Sequence, residues 1–401
     1  MASVIFVSLL LIMLFILYRA GIAIRKSGKV FSSAGIAAIS IYTLNEGLRF
    51  GRGIDYNLYY NTYLDLAAGR SINKEPVFSF ISEFFISFGL PYQALILFMS
   101  FMFILSLLYF LRNYRDLLPL ALPLFVFFSR PEVENMVRWY LAFSFFLFGL
   151  ADLIKKEKLS IRYLAFSFFA CSIHYAIIPI PIFSYVIYRF KHVFLKPFLS
   201  LSVFFAVYFF FETDFMLQFV DLVNMLADVG GERFANYGKS PEYWLSGGFA
   251  GEEKSGKIGI SELAFLSVLV ILGNRVSVHF KRPFIFSYNM FLVGFLLLPI
   301  AKKVEFVGRY DAIFYFFRAI VLAAILYTYY ICKYIRLIPV LSAFVLIILL
   351  YNPINSIKNI LTDNPKKYLY VWDKSGMTPG KMYEMWIDDL HKNAQTGTSK
   401  R

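Results

Sequence analysis

Long apolar stretches recur along nearly the whole chain and are separated by short polar connections. A vertical membrane-spanning helix needs roughly 20 apolar residues, and several of these stretches are shorter, so their ends are approximate. The pattern predicts an all-α integral membrane protein, a polytopic bundle of about 12 transmembrane helices. The predicted spans cover residues 3–18, 30–44, 91–111, 117–128, 139–154, 161–173, 176–188, 198–211, 260–278, 284–300, 310–331 and 337–350.

Basic residues in alternate connections give this bundle an orientation. Lys and Arg after the first span place that connection in the cytoplasm. Five further basic connections fall on the same side, so that the set covers residues 19–29, 112–115, 155–162, 189–196, 275–282 and 333–336. The assignment requires residues 76–88 to form a re-entrant or surface helix, and residues 161–188 to form two short helices that meet near His174. If either requirement fails, every later span changes direction.

Residues 1–350 form the membrane domain in this scheme, with outer, non-cytoplasmic loops at residues 45–75, 129–138, 212–259 and 301–309. The loop at 212–259 is the only long internal insertion, and its glycine-rich end suggests the mobility of a lid. Residues 351–401 are predicted to be a polar C-terminal tail that is partly disordered.

Composition and charge exclude several classes of function. The chain has 401 residues, 59% of them hydrophobic and 16% charged, with a formal net charge of +14. Most Lys and Arg residues lie in the short connections, so the positive charge indicates topology rather than nucleic-acid binding. Cys171 and Cys332 lack metal-type spacing, and no P-loop, H-E-x-x-H or G-x-S-x-G motif occurs. We therefore expect no metal, no cofactor and no ATP-driven chemistry.

Eight cationic or titratable side chains lie in or beside the apolar stretches, and the predicted topology places them on the outer side. They are Arg49, Arg52, Arg70, Arg130, Arg138, Arg233, Arg309 and His174. The positive-inside rule disfavours cations there, so their presence predicts an anion site. Phosphate-bearing lipid is the leading candidate for that anion.

Residues 49–56, with the sequence R-F-G-R-G-I-D-Y, form the most compact charged cluster. Glycine allows the backbone to approach a ligand closely, and the fork of donors on arginine fits phosphate or carboxylate oxygens. In the alternative interpretation Arg49 and Arg52 pair with Glu46 and Asp55 at the membrane surface. Spacing alone leaves the two interpretations about equal.

Asn135 and Arg138 open the span at 139–154, and one helical turn separates them, so both side chains face the same way. Trp139 and Tyr140 beside them are typical of an interfacial aromatic belt. The predicted outer position of Arg138 favours a functional role for this residue.

His174 stands alone between apolar flanks. Such a histidine is more often a hydrogen-bonded structural residue, but at the rim of an outer cavity it can act as a general base or a phosphate partner.

The last outer cluster comprises Lys302, Lys303, Glu305, Arg309 and Tyr310, and such a row of cations is also typical of contacts with lipid headgroups. Flat aromatic faces on which sugars can stack occur at Tyr59, Tyr60, Tyr63, Tyr237 and Trp244, although such rings are also common at membrane interfaces.

Taken in order, these clusters resemble the EpsG-like, Wzy-type polymerases of bacterial exopolysaccharide and O-antigen synthesis. The resemblance rests on five short blocks in about residues 49–310: R-F-G-R-G-I-D-Y, E-P-V-F-S-F from Glu75, N-M-V-R-W-Y-L-A, S-I-H-Y-A and G-R-Y. Their order and spacing are more specific than any single block. The chain departs from the family pattern at Trp139 and Tyr140, where a Gln and a small residue are usual, and this bears on which sugars are bound.

The resemblance implies a metal-independent glycosyltransferase that moves a growing glycan from undecaprenyl pyrophosphate to the non-reducing end of a lipid-linked repeat unit. It implies a multi-pass protein of the bacterial inner membrane with its active site facing the periplasm. The implied partners are undecaprenyl-pyrophosphate-linked oligosaccharide and membrane lipid, and a chain-length regulator protein is allowed as a further one. Nucleic acid is not expected.

The resemblance also assigns roles to individual residues. The catalytic candidates are His174 and Asp55, and His174 is favoured as general base because neighbouring arginines can neutralise Asp55. The pyrophosphate-binding candidates are Arg49, Arg138, Arg309 and, by its position in the first cluster, Arg52, since guanidinium groups can stabilise a leaving pyrophosphate. The substrate-binding candidates are Tyr56 and Asn135 from the resemblance and, by their positions beside Arg138 and Arg309, Trp139 and Tyr310.

Three other functions remain open at this point. A GT-C-type lipid-phosphosugar glycosyltransferase would share the topology but usually has paired acidic residues in its first outer loop, whereas here Asp55 is followed by Tyr56. An O-antigen ligase would share the arginines and the long outer loop. A lipid-linked oligosaccharide flippase, which is not an enzyme, would need cations inside a central cavity and two related halves, and no repeat is visible in the sequence.

Overall fold

The computed structural model describes residues 2–70, 75–212, 258–280, 282–302, 305–332, 339–373 and 376–395. Within these ranges the regular structure is helical, apart from one isolated antiparallel bridge between Arg49 and Tyr370. Seven of the described helices are long and apolar enough to cross a membrane, and four shorter apolar helices accompany them. The prediction of a polytopic, all-α membrane protein is therefore confirmed.

The helices are numbered here in chain order. The first ten are α1 (Ala2–Ser27), α2 (Ser33–Gly47), α3 (Tyr56–Ala67), α4 (Pro76–Ser87), α5 (Tyr92–Leu111), α6 (Leu118–Asn135), α7 (Val137–Lys156), α8 (Ile161–Ile173), α9 (Pro179–Arg189) and α10 (Pro197–Glu212). The later ones are α11 (Ile260–Ser277), α12 (Arg282–Ala301), α13 (Glu305–Phe316), α14 (Arg318–Leu326), α15 (Pro339–Thr362) and α16 (Pro379–Gln395).

The seven long candidates for spans are α1, α5, α7, α11, α12, the pair α13 and α14, and α15. The predicted spans at residues 161–173, 176–188 and 198–211 correspond to helices of 13, 11 and 16 residues. At 1.5 Å per residue these helices are shorter than the hydrocarbon core of a bilayer, which is about 30 Å thick. The predicted set of about 12 thus divides into seven long helices and several short ones.

Both short elements that the predicted orientation requires are present as helices. The 12-residue α4 has Pro76 at its first position, and Gly89 beyond its end adopts a left-handed φ of +66°. The chain between α8 and α9 leaves the helical conformation at His174, whose backbone is extended (φ −151°, ψ 108°). This break places the histidine at the junction of two short helices.

Three of the predicted connections contain helical residues. Residues 45–75 contain α3, and most of residues 129–138 belongs to α6, which continues to Asn135 before a break at Met136. At the polar end of α6, Arg130 and Glu134, one turn apart, form an ion pair of 3.7 Å, a spacing that modestly favours the helix. Helix α13 also begins inside the connection predicted at 301–309.

The C-terminal segment is more structured than the predicted tail. Helix α15 extends to Thr362, and α16 packs through Met382 against Phe50 and Leu369. The described part of residues 351–401 therefore folds back onto the chain near residue 50. Its apolar side chains Leu369 and Met382 are buried there together with Phe50. Residues 396–401, and residues 213–257 of the predicted lid, lie outside the described residues.

Packing brings several helix ends to one region. Helix α7 packs against α5 and α8, α4 packs against α3 and α8, and α13 packs against α6 and α12. The start of α7, the start of α4, the junction of α8 with α9 and the first half of α13 consequently lie close together.

Candidate functional site

Glu75 joins two of the predicted site residues. Its Oε2 atom lies 2.6 Å from Nη1 of Arg138, and its Oε1 atom lies 2.8 Å from Nδ1 of His174. The three side chains are 9%, 16% and 14% exposed, respectively. One carboxylate thus holds a guanidinium group and an imidazole side by side in a largely buried position.

The local chain geometry explains why these side chains meet. Glu75 immediately precedes Pro76, the residue before a proline favours an extended backbone, and Glu75 is extended here. Arg138 lies in the first turn of α7, just after the break at Met136. His174 occupies the junction of α8 with α9, so all three residues stand at or beside the end of a helix.

The electrostatics of the pair favour a neutral histidine. Burial opposes ionisation of Glu75, but the hydrogen bond with His174 and the charge of Arg138 outweigh it and lower the pKa of Glu75 to about 2. Burial, together with the positive charges of Arg138 and Arg309, lowers the pKa of His174 despite its hydrogen bond to Glu75. At neutral pH the pair is therefore a carboxylate and a neutral imidazole. Because a carboxylate only accepts hydrogen bonds, Nδ1 of His174 carries the proton and Nε2 keeps a lone pair.

Aromatic rings surround this group. Trp139 meets His174 edge-on, with ring centroids 5.2 Å apart at 80°, and Tyr310 lies 5.6 Å from Trp139. The guanidinium of Arg138 lies over the rings of Tyr59 and Phe78, at 5.4 and 5.5 Å. Trp139 is only 2% exposed, so the expectation of an interfacial belt at this position is wrong. Tyr140 is equally buried.

A second charged cluster, called here the Arg52 network, comprises Arg52, Arg130, Glu46 and Glu134. Arg52 is 1% exposed, and its Nη1 lies 2.9 Å from Glu134 and 3.9 Å from Glu46. Arg130 shares Glu134, and both guanidinium groups lie 4.9 Å from the ring of Phe6. Two carboxylates thus balance two guanidinium groups in the interior, which supports a structural interpretation of Arg52.

The chain from Arg49 to Tyr56 connects the two clusters. Gly53 has a φ of +91°, and a Cβ atom there would lie 2.8 Å from the carbonyl oxygen of Glu134. The backbone N–H of Asp55 donates to Oδ1 of Asn135 at 3.0 Å. These contacts fix the loop against the end of α6, three to four residues before Arg138.

The remaining candidates of the loop are buried rather than open. Nη1 of Arg49 donates to the carbonyl oxygen of Glu46 at 2.7 Å, and the side chain is 2% exposed. Tyr56 packs against Tyr92 with ring centroids 5.4 Å apart, and its hydroxyl donates to Gln93.

The predicted site residues therefore fall into two adjoining groups. Arg138, His174, Trp139 and Tyr310 lie together, and the charge of Arg309 acts on His174. The residues associated with the Arg52 network and its loop are Arg49, Arg52, Asp55, Tyr56 and Asn135. Of the outer arginines, Arg70 pairs with Asp65 at an exposed position, and Arg233 lies outside the described residues.

Sequence reasoning did not select Glu75 as a site residue. Its signal was present, since Glu75 opens the block E-P-V-F-S-F and directly precedes a short apolar helix. Tyr59, which lies beside Arg138, appeared only among the candidate sugar-stacking rings. Among the described residues, no group of three or more His, Cys, Asp or Glu side chains could hold a metal ion.

Comparison with known protein families places the chain. The model of the EpsG family matches residues 33–368, which is most of the chain and includes every residue of both clusters described above except Phe6. That family is linked to exopolysaccharide synthesis. No curated protein and no solved structure matches the chain.

Proposed function

We propose that this chain, which belongs to the EpsG family, is a polysaccharide polymerase of the bacterial inner membrane. It transfers a growing glycan from undecaprenyl pyrophosphate to the non-reducing end of a lipid-linked repeat unit at the periplasmic face. One observation carries the proposal: Glu75 holds a neutral His174 and a charged Arg138 within hydrogen-bonding distance of its two oxygens.

His174 acts on the acceptor in this proposal. Its Nε2 atom removes the proton from the attacking sugar hydroxyl, while Glu75 accepts the Nδ1 hydrogen bond and stabilises the imidazolium that forms. The new bond joins the acceptor oxygen to the anomeric carbon of the growing glycan. His174 takes this role in preference to Asp55, because Glu75 accepts its Nδ1 hydrogen bond and so orients Nε2 and stabilises the positive charge that forms.

Arg138 acts on the leaving group. As the bond between the anomeric carbon and the pyrophosphate oxygen breaks, its electron pair stays on that oxygen, and a fixed guanidinium stabilises the negative charge. Arginine has five N–H donors, and Nε of Arg138 is buried without a hydrogen-bond partner. A pyrophosphate oxygen would satisfy this donor. Arg309, whose charge also reaches His174, supplies a second cation.

The Arg52 network serves this site indirectly. Arg52 is paired with two carboxylates, so we assign it to holding the loop against α6 rather than to direct contact with pyrophosphate. Arg49 retains a buried Nε without a partner and stays a candidate for phosphate binding. Tyr56, Asn135, Trp139 and Tyr310 stay candidates for contacts with the substrates.

A reconstituted assay tests the proposal. Purified protein in lipid nanodiscs is incubated with one synthetic undecaprenyl-pyrophosphate-linked repeat unit, and the products are separated by length. We expect a ladder from the unmodified protein and single repeats from His174→Gln. The matched control is His279→Gln, which makes the same chemical change at an exposed position beyond α11 and should leave the ladder unchanged.

Other outcomes would replace the polymerase proposal. Unchanged monomer that moves across the bilayer would indicate a flippase. A product that forms only when lipid A core is supplied would indicate a ligase. Transfer only from a monophosphate-linked sugar would indicate a GT-C-type enzyme.

A further inference from the structure

The connection between α15 and α16 carries a stacked aromatic pair outside the candidate site, and one ring of the pair is exposed. The rings of Tyr370 and Trp372 stack with centroids 4.7 Å apart and planes within 3° of each other. Tyr370 is 2% exposed, whereas Trp372 is 63% exposed. A buried tyrosine therefore supports one large indole ring, most of whose surface is open.

This pair is held firmly to the rest of the molecule. The N–H of Phe50 donates to the carbonyl of Leu369 at 3.0 Å, and the N–H of Val371 donates to the carbonyl of Leu48 at 3.1 Å. The hydroxyl of Tyr370 donates to Oδ1 of Asn45 at 2.7 Å. These bonds fix the backbone beside Trp372 and the ring of Tyr370 on which the exposed indole stacks.

The pair also adjoins the charged residues of the site region. The guanidinium of Arg52 lies 4.9 Å from the ring of Tyr370, and Nε1 of Trp386 donates to the carbonyl of Gly51. Met382 of the same helix fills the space beside Gly51, since a Cβ atom there would lie 2.5 Å from it. Tyr370 therefore contacts both the exposed ring of Trp372 and the loop at residues 49–53, of which residues 49–52 are buried.

The exposed face of Trp372 fits a sugar ring. A flat aromatic face can pack against the C–H face of a pyranose, and a ring that is already fixed loses little conformational entropy on binding. The exposed carboxylate of Asp373 directly follows and can accept hydrogen bonds from sugar hydroxyls. The family to which the chain belongs is linked to exopolysaccharide synthesis, so a glycan is a ligand available to it.

We propose that the stacked Tyr370 and Trp372 form a carbohydrate-binding subsite, which holds a sugar ring of the glycan beside the loop at residues 49–53. The inference rests on the proposed function in taking the glycan as its ligand. It adds a binding role for the C-terminal segment, which the proposed chemistry does not use.

Binding without turnover tests this subsite. Full-length protein in nanodiscs of phosphatidylethanolamine and phosphatidylglycerol is titrated with oligosaccharides of two to four repeats, released from the exopolysaccharide of the producing strain. We expect Trp372→Ala to weaken binding by roughly 3- to 10-fold, and Trp372→Phe to weaken it less because a flat ring remains. The matched control is Tyr351→Ala, which removes another exposed aromatic ring, on α15, and should leave binding unchanged.

Two results would overturn the subsite. One is oligosaccharide binding that is absent, or that is equally strong in the protein and in Trp372→Ala. The other is strong quenching of the Trp372 emission by brominated lipid, measured as the difference between the protein and Trp372→Phe, because the ring would then be a membrane-interface anchor.

The same experiment separates this inference from the polymerase proposal. If no ladder forms but binding depends on Trp372, the subsite stands and the polymerase proposal fails. If a ladder forms and Trp372→Ala binds normally, only the subsite fails.

Discussion

The change Glu75→Gln tests the centre of the proposed mechanism. It removes one negative charge, but keeps the size of the side chain and one oxygen that can accept the hydrogen bond from His174. Both of the bonds that Glu75 makes, at 2.6 and 2.8 Å, join it to side chains that carry or develop positive charge. The variant should therefore fold, but it should lose the charge that stabilises the imidazolium.

The size of the effect follows from the pKa of the carboxyl group. Its fall from an ordinary value of 4.5 to about 2 corresponds to roughly 3 kcal/mol of favourable interaction with the carboxylate. If the carboxylate gains a further interaction of similar size when the imidazole becomes charged in the transition state, the loss of that gain lowers kcat by about 100-fold. When the carboxylate that orients a histidine base is replaced, kcat can fall by up to about 10⁴-fold, and this value sets the upper bound.

The pH dependence gives a signed prediction. A base must be unprotonated, so the rate should rise with pH through the pKa of His174 and level off near neutrality, because that pKa lies below its ordinary value of 6.5. The charge of Glu75 raises the pKa of His174, while Arg138 and Arg309 lower it. Glu75→Gln should therefore shift the acid limb to lower pH while it lowers the plateau.

Glu75→Gln should also change how the stability of the folded protein depends on pH. A carboxyl group whose pKa is lowered by folding stabilises the folded state above its ordinary pKa, and this contribution is lost as pH falls from 4.5 towards 2. Thermal unfolding in detergent should show the unmodified protein as the more stable one at pH 7, by at most about 3 kcal/mol. The difference should shrink below pH 4.5.

The assay is single-repeat polymerisation in nanodiscs between pH 4.5 and 8, with initial rates taken from the ladder. The matched control, Glu83→Gln, makes the same change at an exposed position of α4 and should leave the rate and the pH profile unaltered. A plateau within 3-fold of the unmodified rate, or an acid limb that stays in place or moves to higher pH, would falsify the role given to Glu75.

Three further changes test other parts of the site. Arg138→Lys keeps the charge but loses the fork of donors, so the ladder should shorten strongly at normal membrane insertion, and full chain length would count against the pyrophosphate role. Arg52→Gln removes the positive charge that Glu46 and Glu134 share, so the free energy of unfolding should fall by about 3–5 kcal/mol and Tm should fall strongly. A normal Tm with lost activity would contradict the structural role given to Arg52. Gly53→Ala should lower Tm more than Gly69→Ala, since both have a positive φ but only Gly53 lies against backbone, and equal losses would refute the packing argument.

Sequence alone determined the class of the protein and several of its junctions. The apolar stretches predicted a polytopic helical bundle because any chain in lipid must satisfy its backbone hydrogen bonds internally. The short helix at Pro76–Ser87 and the break at His174 followed from proline, glycine and the length of each apolar run. The order of short blocks placed the chain in its family, which the match over residues 33–368 confirms.

Only the tertiary structure decided which charges belong together. Arg52 and Arg138 both looked like anion-binding residues, yet Arg52 is balanced by Glu46 and Glu134, while Arg138 shares Glu75 with His174. The contacts of Glu134 with Arg52, and of Glu75 with Arg138 and His174, join residues 63 to 99 positions apart, and such contacts leave no periodicity in the sequence because they depend on how separate helix ends pack. The contact between the C-terminal segment and residue 50 could not be predicted for the same reason. The polar composition of the segment indicates contact with solvent, but it does not show which residues its few apolar side chains pack against.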